Sequence, residues 1–344
     1  MSHEHKYVFA ALVAALALTP VLADAQSSGD IPRTAWGDPD IGGVWDYSSI
    51  TPMVRPEKYG EREFLTEEEV AELENGAIER DRSAAEAPPA GRAEAGDQAG
   101  ANGHSFVWGL ELGTDYTEDR RTSRIIDPPN GRYPEMTEWG KADAAMRYGF
   151  SETVPADHYT DRGYGDRCMA IHGMPISPLP YNSFMQFFQT PDHVGIFSEA
   201  FGRWRIVPID DRPHGTLKQW MGDTRGRWEG NTLVVETTNF SHYLQQAGAG
   251  RNIRSLVEKF TRVSPGVIRY EYTVDDPVKW ASPWTSSITF RKTDLPVYEL
   301  ACHEGNYAIA NILRGGRAYE GTPDEVEFEP GKICWDCEPV LPVP

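Results

Sequence analysis

The sequence predicts a mainly β protein whose strands run as an antiparallel meander and close into a barrel. Three observations carry this. From residue 183 onward, short stretches rich in Val, Ile, Phe, Tyr and Trp alternate with turn residues, and no crossover helix intervenes. Residues 219–240 (QWMGDTRGRWEGNTLVVETTNF) hold a Gly- and Arg-rich twisted strand start and a tight turn at Glu229-Gly230-Asn231. A strand follows over 231–240, in which Leu233 and Val235 alternate with Val234 and Glu236. Near the other end of the chain, Asp38-Pro39-Asp40 forms a turn leading to Gly43-Val44-Trp45 and a first short strand.

Taken in order, the chain opens with Lys6, an apolar run over 7–18, Pro20 and Ala23-Asp24-Ala25. That pattern predicts a signal peptide over 1–25, too short in its apolar part to span a bilayer comfortably. Residues 26–40 form a flexible lead-in. The Gly-x-Trp at 43–45 resembles the opening strand of lipocalin-like barrels, in which the Trp plugs one end and the Gly permits close backbone approach. Residues 66–85 predict a helix, with Thr66 and Glu69 as a capping box and Val70, Leu73, Ala77 and Ile78 as its apolar stripe. Residues 84–103 are low-complexity, an insertion within a single domain over 41–320. Strands are expected over 105–112 and 121–126, the latter ending at the turn Asp127-Pro128-Pro129-Asn130-Gly131. A second short helix over 136–148 is capped by Thr137, places Trp139, Ala142 and Met146 on one face, and stops at Gly149.

Residues 150–182 read as irregular, a usual place for binding groups on a β scaffold. Hairpins follow over 183–189 and 193–198, over 256–263 and 267–274, and over 284–291 and 297–302, with a further strand over 204–209. In 267–274, Ile268, Tyr270, Tyr272 and Val274 share one face. The expected architecture is therefore a lipocalin-like barrel, preferred to a two-sheet sandwich, with two short peripheral helices and long irregular loops. Residues 321–344 form a Pro- and acid-rich tail.

A net charge of −19 over 344 residues disfavours nucleic acid and anionic lipid as partners. No membrane contact is expected after signal cleavage. Four cysteines, Cys168, Cys302, Cys334 and Cys337, allow three pairings in an oxidising compartment; Cys334–Cys337 and Cys168–Cys302 are favoured. Redox or zinc chemistry at Cys334-Trp335-Asp336-Cys337 is the weaker alternative, because the tail has no second ligand pair. Phosphate-loop, dinucleotide, nucleophile-elbow and haem-attachment motifs do not occur, and no cofactor is expected.

Five blocks then stand out: Arg121-Thr122-Ser123 with Asp127-Pro128-Pro129-Asn130-Gly131-Arg132; Asp166-Arg167-Cys168; Arg212-Pro213-His214; residues 222–233 (GDTRGRWEGNTL); and Ala301-Cys302-His303-Glu304-Gly305-Asn306. As a set they resemble a family of exported bacterial β-rich proteins, over residues 36–318. The resemblance implies export and a single β-rich domain, and transfers no catalytic residue.

Chemistry is therefore argued from residue type. His303, at the end of the last expected strand, is a candidate general base, set against a purely structural histidine beside a disulfide. A Cys168–Cys302 bond would bring His172 near His303, and His214 completes the candidate catalytic set; role-free loop histidines are the competing reading. Asp166, Arg167, Tyr181, Trp220, Glu304 and Asn306 are candidate substrate-binding residues; Asp166 and Arg167 either pair to order the loop or offer Arg167 as an anchor for a carboxylate or phenolate. Tyr159, Tyr164, Trp204, Trp228, Trp280 and Trp284 add aromatic surface, most of it expected in the core. These features predict an exported, cofactor-independent lyase, isomerase or hydrolase acting on a small aromatic or cyclic molecule. The alternative is a periplasmic carrier of a small hydrophobic ligand, or a protein with no ligand at all.

Overall fold

The computed structural model describes residues 30–86, 114–148, 158–159, 167–169, 174–178, 182–241, 253–304 and 306–320. Ten strands lie within them: β1 (Gly43–Asp46), β2 (Ile125–Asp127), β3 (Phe184–Gln189), β4 (His193–Ser198), β5 (Arg203–Pro208), β6 (Asp223–Glu229), β7 (Thr232–Thr238), β8 (Ser255–Ser264), β9 (Val267–Asp275) and β10 (Trp284–Thr293). They form one antiparallel sheet in the order β5-β4-β3-β1-β10-β9-β8-β7-β6, with β2 added on β10. The two outer strands of that order meet through a bridge between Ile209 and Gly226, so the sheet curls into a nearly closed barrel. The seam is tight because Gly226 has no Cβ: one built there would lie 2.7 Å from Val207 Cγ1 and 2.8 Å from Ile209 Cδ1.

The turns follow the expected chemistry. Gly230 takes a positive φ of 61° in the two-residue connection of β6 to β7. The β3–β4 and β8–β9 hairpins turn at residues 190–192 and 265–266. Ile268, Tyr270, Tyr272 and Val274 all face the interior, packed with Phe187, Phe260 and Phe290. Trp45 is fully buried, as the Gly-x-Trp motif implied. Its indole N–H donates to the Ile41 carbonyl at 2.9 Å, and the Arg262 guanidinium lies 4.6 Å from its ring centre. Arg262 in turn donates to the Ser264 and Pro265 carbonyls in the β8–β9 turn, so Trp45 sits at the end of the barrel where that turn lies.

Three expectations are corrected. Residues 297–302 do not form a strand. β1 already occupies that edge of β10, pairing Val44 with Thr293 and Asp46 with Arg291, and Pro296 supplies no N–H for a ladder. The strand expected over 121–126 shrinks to Ile125–Asp127, because Thr122 N–H donates to Glu63 O and Arg124 N–H to Pro52 O instead. A third helix, α3 (Ala308–Glu320), follows the barrel, beyond the two foreseen.

The first helix, α1 (Glu67–Glu86), has its capping box: Thr66 N–H donates to Glu69 Oε2 at 2.9 Å and Glu69 N–H to Thr66 Oγ1 at 3.2 Å. Ala77 on its stripe is buried, but Ile78 is exposed. The second helix, α2 (Glu138–Tyr148), is capped by Thr137, whose Oγ1 accepts from Gly140 N–H at 3.0 Å. Trp139 and Ala142 are half-buried; the side chain of Met146 lies outside the described residues. So do Gly149, the strand expected over 105–112, the segment 87–103, residues 1–29 and the 321–344 tail.

Candidate functional site

The barrel has two unlike ends. Trp45 and Arg262 fill one. The far end is where β1, β4 and β9 finish and β3, β5 and β10 begin, and it carries the interior polar groups. β5 places them by its alternation. Arg203, Arg205 and Val207 point inward, while Trp204 and Ile206 point out and are 54% and 56% exposed. This is the reverse of what apolar patterning implies, and it puts Trp204 among the aromatic residues that lie outside the core.

Arg205 crosses the interior to β8, where Glu258 Oε2 accepts from Nη1 at 2.5 Å and Oε1 from Nη2 at 3.2 Å. Tyr270 Oη donates to Glu258 Oε1 at 2.7 Å and itself accepts from Ile176 N–H at 3.0 Å. Burial first, then the Glu258 charge, hold the Tyr270 phenol far above its ordinary titration range. Nearer the far end, Tyr47, Ser198, Glu199 and Arg203 are all buried. Glu199 Oε1 accepts from Tyr298 N–H at 3.0 Å, which ties the 297–302 segment to this end. Burial raises the Glu199 carboxyl above its usual range, against the hydrogen bonds that lower it. Burial likewise raises the Tyr47 phenol, while Arg203 is lowered to about 10 by its own burial. Aromatic walls complete the far end: Tyr133 stacks on Trp280 and meets the edge of Trp284, each with centroids 4.9 Å apart.

The Cys168–Cys302 disulfide is present, with its Cα atoms 5.6 Å apart. It joins the irregular segment to the 297–302 segment, and Asn306 Nδ2 donates to Cys168 Sγ at 3.3 Å. Such a bond fits an oxidising, non-cytoplasmic setting. Cys334 and Cys337 lie outside the described residues, as do Asp166, His172, Tyr164 and Tyr181. His303 is placed in an exposed turn, not at a strand end, because no strand runs over 297–302; Glu304 beside it is also exposed.

His214 lies in the β5–β6 connection with Nδ1 3.4 Å from Asp223 Oδ2, on the outward side of β6. Asp223 there also accepts from Gly215 N–H at 2.7 Å and Arg225 Nη1 at 2.5 Å. Trp220 is partly buried against the core and Arg167 is half-buried. Trp280 and Trp284 are buried, Trp228 is partly so, and Tyr159 is exposed. The described histidines therefore do not converge on the interior. Among the described residues no group of three His, Cys, Asp or Glu side chains is placed to hold a metal ion, and no helix is long and apolar enough to cross a membrane.

Sequence reasoning missed Tyr47, Ser198, Glu199, Arg203, Arg205 and Glu258. A signal existed for Glu258: it sits in period two with Leu256, Phe260 and Arg262, a carboxylate on an otherwise core face. For β5 the signal was inverted, as described above. No protein-family model matches the chain, and no curated protein matches it.

Proposed function

We propose that the protein takes a small, largely cyclic or aromatic molecule into the far half of the barrel. One observation carries this reading: buried polar groups at the far ends of β1, β4 and β5 (Tyr47, Ser198, Arg203) act on one another at the end of the barrel that also holds Tyr133, Trp280 and Trp284, the mixture of polar and aromatic side chains that small-molecule sites use. The signal-like pattern expected over 1–25, the Cys168–Cys302 disulfide and the resemblance to exported bacterial proteins support a periplasmic or secreted location for this task. A single domain over 41–320 is the unit proposed to perform it.

A second reading, a cofactor-independent lyase, isomerase or hydrolase, is favoured by Glu199. Its carboxyl, held above its usual range by burial and next to Tyr47 and Ser198, is the buried acid placed to exchange a proton with a bound molecule. That reading moves acid/base work from His303 and His214 to Glu199. Native mass spectrometry of the purified, oxidised protein tests both. A retained organic mass supports uptake, and its chemical alteration on incubation supports the enzyme. A protein that never retains or alters any molecule from an extract of its host's periplasm contradicts the proposal.

A further inference from the structure

Arg203 is 8% exposed, yet its Nε, Nη1 and Nη2 all lack a hydrogen-bond partner among the described residues. A buried guanidinium in that state is costly, because desolvation of the charge is not offset by a partner. None of the acidic groups nearby hydrogen-bonds to it. Glu258 is committed to Arg205 and Tyr270. Glu199 spends one oxygen on Tyr298 N–H; its other, Oε2, is buried and makes no bond to Arg203, and burial favours the neutral carboxyl. Tyr47 and Ser198 beside it are neutral groups, and Arg205, the other charge acting on it, is a cation. The inner end of β5 is thus a fixed, planar, five-donor cation with a vacancy of charge, inside a chain whose net charge is −19.

Resting on the proposed uptake of a small molecule, we infer that Arg203 is the anion-recognition residue of the barrel, and that the ligand is an aromatic or cyclic carboxylic acid whose carboxylate lies on the guanidinium fork. The ring would lie against the interior aromatic side chains, with Tyr47, itself 5.6 Å from Phe290 between ring centres, beside the carboxylate. Pairing would be bidentate, which lysine cannot reproduce.

The probes are 2-naphthoate and 2-naphthamide, alike in shape and different in charge, titrated calorimetrically into the full oxidised protein. The wild type is expected to prefer the naphthoate by roughly tenfold or more, as charge-assisted bidentate pairs require. Arg203→Met should abolish that preference, the naphthoate losing roughly tenfold more affinity than the naphthamide; Arg203→Lys should keep only part of it. Equal binding of both probes by the wild type overturns the anion inference and leaves uptake standing. Preference that survives in Arg203→Met overturns it too. If neither probe binds the wild type, the inference and the uptake reading both fall. Should Arg203→Met not fold by near-ultraviolet circular dichroism, the wild-type preference and the Arg203→Lys titration decide.

Discussion

Arg205, Glu258 and Tyr270 form the most deeply buried polar contact of the barrel: Glu258 is completely inaccessible and Arg205 nearly so. Removing one member leaves the other charge buried without its partner, which generally costs about 3–5 kcal/mol. Arg205→Met should therefore lower the urea-unfolding free energy by about that amount; a change within about 1 kcal/mol would mean that the pair is not formed in solution. Glu199 makes a pH prediction. Its carboxyl titrates higher in the folded than in the unfolded protein, so the folded state binds more protons. Its contribution to stability is then fully present below the ordinary glutamate range and is lost as pH rises through the folded value. Glu199→Gln, which cannot ionise, should flatten that decline in a series of thermal melts; an unchanged slope would remove Glu199 as its source. Single residues were the hardest part to read from sequence. A strand's period is visible but its inward face is not, and on β5 the bulky Trp204 and Ile206 pointed to the wrong one.

The strands themselves were largely legible, because Pro-Asp, Gly-Asn and Pro-Gly turns punctuate a period-two pattern that admits few other readings. The false strand over 297–302 failed for a non-local reason. Whether a segment pairs depends on which edge is free, and β1, more than two hundred residues earlier, had taken it. The helix α1 was readable to its first hydrogen bonds, since a capping box is a purely local device. The β5–β6 seam was not: Gly226 looks like an ordinary strand glycine until Val207 and Ile209 are seen against it. Gly226→Val should overpack this seam and destabilise the fold by about 1–3 kcal/mol, with faster hydrogen exchange at Ile209. A variant as stable as the wild type would show that the two outer strands are not closed on one another.

The barrel class was legible from the Gly-x-Trp and the run of hairpins, whereas its stitching across the far end was only a choice among three cysteine pairings. The Cys168–Cys302 bond spans a sequence separation of 134 residues. Chain-entropy arguments give such a cross-link about 4–5 kcal/mol. Replacing both cysteines with alanine should lower the melting temperature markedly and loosen the 297–302 segment over the far end, so that ligand dissociates faster; unchanged melting would show that the bond is dispensable. The central claim, uptake into the far half of the barrel, is tested most directly by titrating the uncharged dye N-phenyl-1-naphthylamine into the wild type and into Ser198→Trp, which fills the far-end interior. A Trp204→Ser control removes the exposed aromatic cluster of Phe188, Phe197 and Trp204 as an outer dye site. The account predicts saturable binding of one dye per chain, lost in Ser198→Trp and kept in Trp204→Ser. Binding that survives Ser198→Trp and disappears with Trp204 would contradict it, and would place the only affinity for apolar molecules on the outside of the barrel.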